Sequence, residues 1–352
     1  MLSLEKRIRA FSRLGELIRE FLSFNTVDAD RKAFETLFDA IRKAESENPW
    51  FTGDNIRMAL SAIEMYLDEK KLRVWALEYS RREVERSTTK RVAVIMAGNI
   101  PLVGFHDLLC VIMSGNSILC KLSSCDRILL PAIAELLTAE EPELKDCILF
   151  SDEKLKDFDA VIATGSNNTA RYFEYYFSSY PLIIRKNRTS IAVLSGGETT
   201  DELKALCTDI FSYFGLGCRN ISKIFVPQSY DFTSLLDIAS EYRHLTMHNK
   251  YFNNYEYYKS IFLINSIEFY DNQVMMLTRE KSLYSPVSVL YYDYYEKKNE
   301  LIDYLSQNSD KLQCIVSGIQ DIPGTMPFGK AQFPELRDYA DGIDTMKFLA
   351  EI

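Results

Sequence analysis

The sequence predicts an α/β protein: two domains built on mostly parallel sheets, preceded by a helical segment. Three observations carry this. Apolar residues recur at helical spacing through the first ninety positions, with no strand-like run among them. From position 91 short β-rich apolar runs alternate with helical stretches, the pattern of βαβ units. The alternation continues past position 310 in a chain of 352 residues, a length that suits two domains.

Leu4, Ile8, Phe11, Leu14, Ile18 and Leu22 lie three or four residues apart and predict an amphipathic helix. Phe34, Leu37, Phe38 and Ile41 predict a second, which Pro49 ends. Ile56, Leu60, Ile63 and Leu67 predict a third, and a fourth runs from the Trp75 region to about Val84. The polar STTK at 87–90 marks a boundary. RVAVIM (91–96) then reads as a buried parallel strand. A helix follows Pro101, SILCKL (117–122) is a strand, and a helix covers 127–138. CILF (147–150) and AVIAT (160–164) are strands, 167–178 is a helix, and SIAVLS (190–195) closes the series. In the second domain helices are expected over 200–213, 231–242 and 294–307, with strands at KIFV (223–226), PVSVLYY (286–292) and QCIVS (313–317). The Tyr- and Asn-rich stretch 244–270 has no clear period. The expected division is a helical segment 1–90, a Rossmann-like domain 91–196 and a second Rossmann-like domain 197–352.

Composition narrows the function classes. Hydrophobic residues are 47% and charged residues 26%, which excludes a disordered chain, a collagen-like chain and a disulfide miniprotein. The net charge of −9 argues against a nucleic-acid partner. Residues 1–90 hold 17 Lys/Arg against 16 Asp/Glu, and the rest holds 24 against 34, so an anionic ligand must be met by local basic groups. No apolar run reaches the length of a membrane span, and MLSLEKRIRAF lacks a signal-peptide core, so no integral membrane segment is expected. Seven cysteines without a CxxC predict free thiols and a cytoplasmic location. With only His106, His244 and His248 present, no metal site is expected.

Four segments carry candidate chemistry. In YFGLGCRN, Cys218 follows Gly215 and Gly217, which allow a tight turn and close substrate approach. A thiol there suits a nucleophile, with Arg219 available to favour the thiolate, or equally a buried structural cysteine. In AGNIPLVGFHDLL, Asn99 stands at a strand-to-helix corner, where its amide suits an oxyanion or simply a turn. Lys121 ends a strand and suits a ribose or phosphate, or solvent. Gly165-Ser166 opens a helix and suits a phosphate, or an ordinary cap.

In this order the segments resemble the aldehyde dehydrogenase superfamily over roughly 91–345. Asn99-Ile100-Pro101-Leu102 resembles its oxyanion turn. Lys121-Leu122-Ser123-Ser124 resembles its cofactor-binding Lys-Pro-Ser-Glu, and Gly165-Ser166 its pyrophosphate-contacting pair. GLGCRNISKIFV resembles its nucleophile motif, with Cys218 as the cysteine, and Pro327-Phe328-Gly329 its late turn. GNIPLVG, KLSS, FDAVIATGSNNTARYFEYYF, IIRKNR, YFGLGCRN and DYADGIDTMKFL resemble one branch in wording, the long-chain fatty acyl-CoA reductases related to the bacterial bioluminescence enzyme.

What the resemblance implies is an aldehyde dehydrogenase-like fold and an NADPH-dependent reduction of a fatty acyl thioester to the aldehyde. Catalysis would rest on Cys218 and Asn99, and cofactor binding on Lys121, Ser123, Gly165 and Ser166. Arg185 stands where the superfamily's general-base glutamate is expected, and an arginine cannot serve as a base. Ser124 and Ser282 replace two ribose-binding glutamates, which favours NADPH. Arg185, Lys186 and Arg188 are available for CoA or cofactor phosphates, and His106 for a general acid, each with a purely structural role as the alternative. The implied partners are acyl-CoA or an acyl-carrier-protein thioester, an acyl-protein ligase or synthetase, and a second copy of the chain. Other readings are an aldehyde-oxidising dehydrogenase, and an acyltransferase or thioesterase using the same cysteine.

Overall fold

The structure, a computed structural model, describes residues 2–23, 32–83 and 89–352, with backbone alone over 80–83. The chain divides into two compact units, Met1–Lys186 with Glu335–Ile352, and Asn187–Pro334.

The first unit opens with α1 (Leu4–Ser23), α2 (Lys32–Glu47), α3 (Gly53–Tyr66) and α4 (Glu69–Glu83). The expected helix end at Val84, and residues 87–88 of the expected boundary, lie outside the described residues. A parallel sheet follows, in the order β3 (Ile148–Phe150), β2 (Ser117–Lys121), β1 (Arg91–Ile95), β4 (Ala160–Thr164), β5 (Leu182–Arg185). Helices α5 (Phe105–Met113), α6 (Leu129–Glu140) and α7 (Asn167–Tyr176) make three of its connections. The N-terminal helices are part of this unit's main core, in which Phe11, Leu14, Ile18, Trp75, Phe105 and Leu137 pack together. Each such fully buried side chain contributes roughly 1.5–3 kcal/mol. The passage from β3 to β4 over Ser151–Asp159 holds no helix, unlike the usual parallel crossover. Leu155 and Phe158 of this strap cover Ala93, Val161 and Ala163 on the sheet's other face.

The second unit holds β6 (Thr189–Val193), α8 (Thr200–Phe211), β7 (Ile221–Pro227), α9 (Thr233–Ala239), α10 (Asn249–Ile264), β8 (Tyr270–Asp271), β9 (Met276–Arg279), β10 (Val289–Tyr295), α11 (Lys298–Gln307), β11 (Leu312–Ser317) and β12 (Thr325–Met326). Its sheet runs β12-β11-β6-β7-β10-β9-β8, parallel except at β8–β9.

Several expectations need correction. SIAVLS does not close the first sheet: β6 pairs with β7 and β11 inside the second. The first unit ends instead on β5, which the sequence reading passed over, and 335–352 returns to it. There Trp75 Nε1 donates to Tyr339 Oη at 2.8 Å, and Tyr79 Oη to Asp344 at 2.9 Å. The helix expected after Pro101 is present but starts only at Phe105, and Pro101 itself lies in a turn. Among the described residues no helix is long and apolar enough to cross a membrane.

Candidate active site

In the first unit the carboxyl ends of all five strands lie along one edge of the sheet, which is where open α/β sheets bind ligands. The chain leaves β1 toward β2 on one side and later places β4 on the other, so the strand order reverses between β1 and β4. The turn carrying Asn99 follows β1, and Gly165-Ser166 follows β4, so both flank that reversal.

Asn99 is exposed, in a turn fixed on either side. A Cβ on Gly98 would lie 2.5 Å from Ser123 Oγ, so only glycine admits this approach of the turns after β1 and β2. Leu102 has φ 58, a left-handed conformation costly for a leucine, and its N–H donates to Asp126 Oδ2 at 2.9 Å. The Ser123 hydroxyl accepts from Cys125 N–H at 3.2 Å, so it holds a turn besides touching Gly98. Lys121 Nζ donates to the carbonyls of Asp152 and Glu153 at 3.3 and 2.8 Å and fastens the helix-free strap. Ser166 Oγ caps α7 by accepting Thr169 N–H at 3.2 Å. Gly165 N–H is bound to the Arg185 carbonyl at 3.1 Å, so this amide is taken up within the sheet.

The residues of the basic run have partners within the protein. Arg185 is buried, pairs with Asp107 at 2.5 Å and donates to Thr345 Oγ1 at 2.9 Å. Lys186 pairs with Glu174 at 3.1 Å, and Arg188 donates to the Ser309 and Leu312 carbonyls. His106 Nε2 lies 3.1 Å from the Leu336 carbonyl, among the rings of Tyr66, Trp75 and Tyr339, in a structural setting.

In the second unit Cys218 is half-buried in the turn before β7. Its carbonyl accepts from Ser190 Oγ at 2.9 Å, and Ser190 Oγ accepts from Cys314 N–H at 3.0 Å. Asn220, which the sequence reading missed, anchors the turn. Its Nδ2 donates to the carbonyls of Asp209, Ile210 and Ser212 at 3.0, 3.3 and 2.7 Å, and its Oδ1 accepts Gly217 N–H at 2.8 Å. Just before it, Tyr213, Phe214 and Gly215 all have positive φ, at 52, 58 and 78°. Arg219 Nη1 reaches Cys314 Sγ at 3.2 Å on β11 and the Ala331 carbonyl at 3.3 Å. Burial pushes the thiols of Cys110, Cys120, Cys147 and Cys207 upward, the last to about 12, which makes them poor nucleophiles. A cavity beside Gly215, lined by Phe211, Phe214, Tyr251 and Pro286, measures about 30 Å³, so these aromatics are packed as core.

Asp209, also missed, ties α8 to the Phe328-Gly329 turn: its carboxylate accepts the N–H of Gly329 at 2.6 Å and of Ala331 at 3.1 Å. Burial nevertheless raises its pKa to about 6, against the lowering effect of those bonds. A folded pKa above the unfolded one means that stability from this group is full below about pH 4 and lost as pH rises toward 6. The stability of the wild type relative to Asp209→Asn is therefore expected to fall by up to about 3 kcal/mol between pH 4 and 7. Urea unfolding at several pH values measures it, and a difference independent of pH would contradict the assignment.

Comparison with known proteins follows the same lines. Residues 64–236 match the acyl-CoA reductase (LuxC) family. No curated protein sequence matches the chain. Among solved structures, aldehyde dehydrogenase 21 of Physcomitrella patens, in complex with succinate, is 10% identical, with 99% of this chain and 84% of that one covered at a TM-score of 0.67. An indole-3-acetaldehyde dehydrogenase of P. syringae, in complex with NAD+ and IAA, is 13% identical over 94% of this chain and 75% of its own, at 0.63. The NAD+ complex of an aldehyde dehydrogenase of Bacillus cereus is 12% identical over 91% and 73%, at 0.61. At these identities the likeness is one of fold: the chain has the aldehyde dehydrogenase architecture.

Proposed function

We propose that this chain, an oxidoreductase whose residues 64–236 match the acyl-CoA reductase (LuxC) family, reduces a fatty acyl thioester to the aldehyde with NADPH through an acyl-Cys218 intermediate. The observation that carries the proposal is the Cys218 turn. Cys218 is half-exposed in a turn whose backbone is fixed by Asn220 and Ser190; of the other two cysteines that are not buried, Cys147 has its thiol pushed up by burial and Cys125 is exposed.

Cys218 thiolate attacks the thioester carbonyl, and the Asn99 amide and the Cys218 N–H take the oxyanion; one such donor is typically worth about 3–4 kcal/mol. Collapse expels the CoA or carrier-protein thiolate and leaves the acyl group on Cys218. The carboxyl edge at the β1/β4 reversal, with α7 capped by Ser166, suits a nicotinamide cofactor, and Lys121, Ser123, Gly165 and Ser166 are the residues assigned to it. When bound, that cofactor supplies the hydride. Arg185, buried with Asp107 at the position of the general-base glutamate, offers no carboxylate to activate water, which favours reduction over hydrolysis. Ser124 and Ser282 in place of ribose-binding glutamates favour NADPH over NADH. We further assign it a cytoplasmic location, an acyl-protein ligase or synthetase as acyl-supplying partner, and self-association.

The test follows NADPH absorbance with a panel of acyl-CoAs, beside NADH and beside Cys218→Ala. Consumption is expected to require a thioester, to prefer NADPH, and to fall at least about a thousandfold in Cys218→Ala. Consumption that survives the substitution, or acid formed from aldehyde without CoA, contradicts the proposal.

A further inference from the structure

We infer that Asp126 is a positioning residue for Asn99: it holds the turn that presents the Asn99 amide. The inference rests on the oxyanion role proposed for Asn99 and adds a residue that the motif Asn-x-Pro-x does not contain.

The Asn99 turn is fastened at two points, one on each side of the asparagine. On the near side Gly98 lies against Ser123, and the Ser123 carbonyl accepts Asp126 N–H at 3.1 Å. On the far side Leu102, at φ 58, is held through its N–H by Asp126 Oδ2 at 2.9 Å. Asp126 therefore bonds to both fastenings, and only three residues, Asn99 to Pro101, lie between them. Asp126 is 7% exposed, and besides Leu102 its carboxylate faces the backbone N–H of Leu129 at the start of α6. Burying a carboxylate is unfavourable for stability alone, since an apolar side chain of similar shape avoids the desolvation penalty. What it provides in exchange is an acceptor for the Leu102 N–H, and a leucine does not hold a left-handed conformation without such support.

The test is a double-mutant cycle read by the single-turnover rate at which acyl-CoA acylates Cys218, with the melting temperature recorded for each protein. Asn99→Ala is expected to lower the rate between roughly a hundredfold and a thousandfold. Asp126→Ala and Asp126→Leu are expected to lower it between roughly tenfold and a hundredfold, since displaced groups lose rate steeply. Asp126→Leu removes the buried charge and keeps the volume, so it serves if the alanine variant does not fold. Asp126→Asn retains an acceptor and is expected to stay within about threefold of wild type. In the Asn99→Ala background either Asp126 substitution is expected to change the rate by less than about twofold, because its effect runs through Asn99. Additive losses, or an Asp126→Leu protein that melts normally and acylates at the wild-type rate, overturn the positioning role while leaving the oxyanion role standing. An Asn99→Ala protein with the wild-type rate overturns both.

Discussion

Asn220→Ala is expected to destabilise the second unit by about 3–5 kcal/mol and to slow acylation of Cys218 severely, because the substitution strips partners from several buried backbone groups at once. The carbonyls of Asp209, Ile210 and Ser212 lie at the end of α8, and Asn220 Nδ2 is directed at all three. Its Oδ1 takes the Gly217 N–H, one residue before the cysteine. Directly upstream, Tyr213 and Phe214 are held left-handed, at roughly 1–2 kcal/mol each, and the Asn220 bonds offset that strain. Asn220→Asp should be no better than alanine: its carboxylate would set an acceptor against three carbonyls. Guanidinium unfolding and single-turnover acylation measure the two effects. A small stability change with a normal rate would show that the turn holds without this side chain.

Arg185→Met is expected to destabilise the first unit by about 3–5 kcal/mol, the usual penalty for removing one member of a buried ion pair. Asp107 would be left buried on α5 without the cation it pairs with. The double substitution Arg185→Met/Asp107→Leu should recover most of the loss, since the pair as a whole contributes little against well-packed apolar groups. Thermal and denaturant unfolding of the three variants test this. If Arg185 instead bound a cofactor phosphate, the single variant would keep its stability and lose cofactor affinity, and the double variant would recover nothing.

The sequence reading reached most of the architecture because the strands announce themselves. RVAVI, SILCK and AVIAT are short β-rich runs bounded by polar turns, and their burial is nearly complete in β4. β5 escaped because it is four residues long and runs straight into Lys186 and Arg188, so it read as part of a basic loop. α10 escaped for the opposite reason: its buried Tyr251, Tyr255 and Phe262 have helical spacing, but Tyr and Phe also cover its other faces and blur the stripe. The boundary near 196 was misplaced because a strand run carries no label for the sheet it joins. Both candidate residues are visible as motifs, Asn99 at a strand end and Cys218 after two glycines.

Their supports were far less visible. Asp126, Asp209 and Asn220 act on backbone N–H and C=O groups, which every residue carries, so no residue pattern names their partners. A faint signal exists for Asp209, which sits on the apolar stripe of Leu206 and Ile210, where an acid needs a reason to be. Arg185 shows the converse error: a charge in a basic run reads as a solvated or ligand-facing group, and the acid that buries it lies 78 positions away.

The central claim is a covalent acyl group on Cys218, and it is tested most directly by mass. Purified protein is mixed with a long-chain acyl-CoA in the absence of any nicotinamide nucleotide, quenched in acid and weighed intact, then digested and mapped. The account predicts one acyl adduct per chain, located on the peptide containing Cys218, discharged when NADPH is added and absent from Cys218→Ala. An adduct on another cysteine, such as the exposed Cys125, or thioester reduction with no adduct at Cys218, would contradict it.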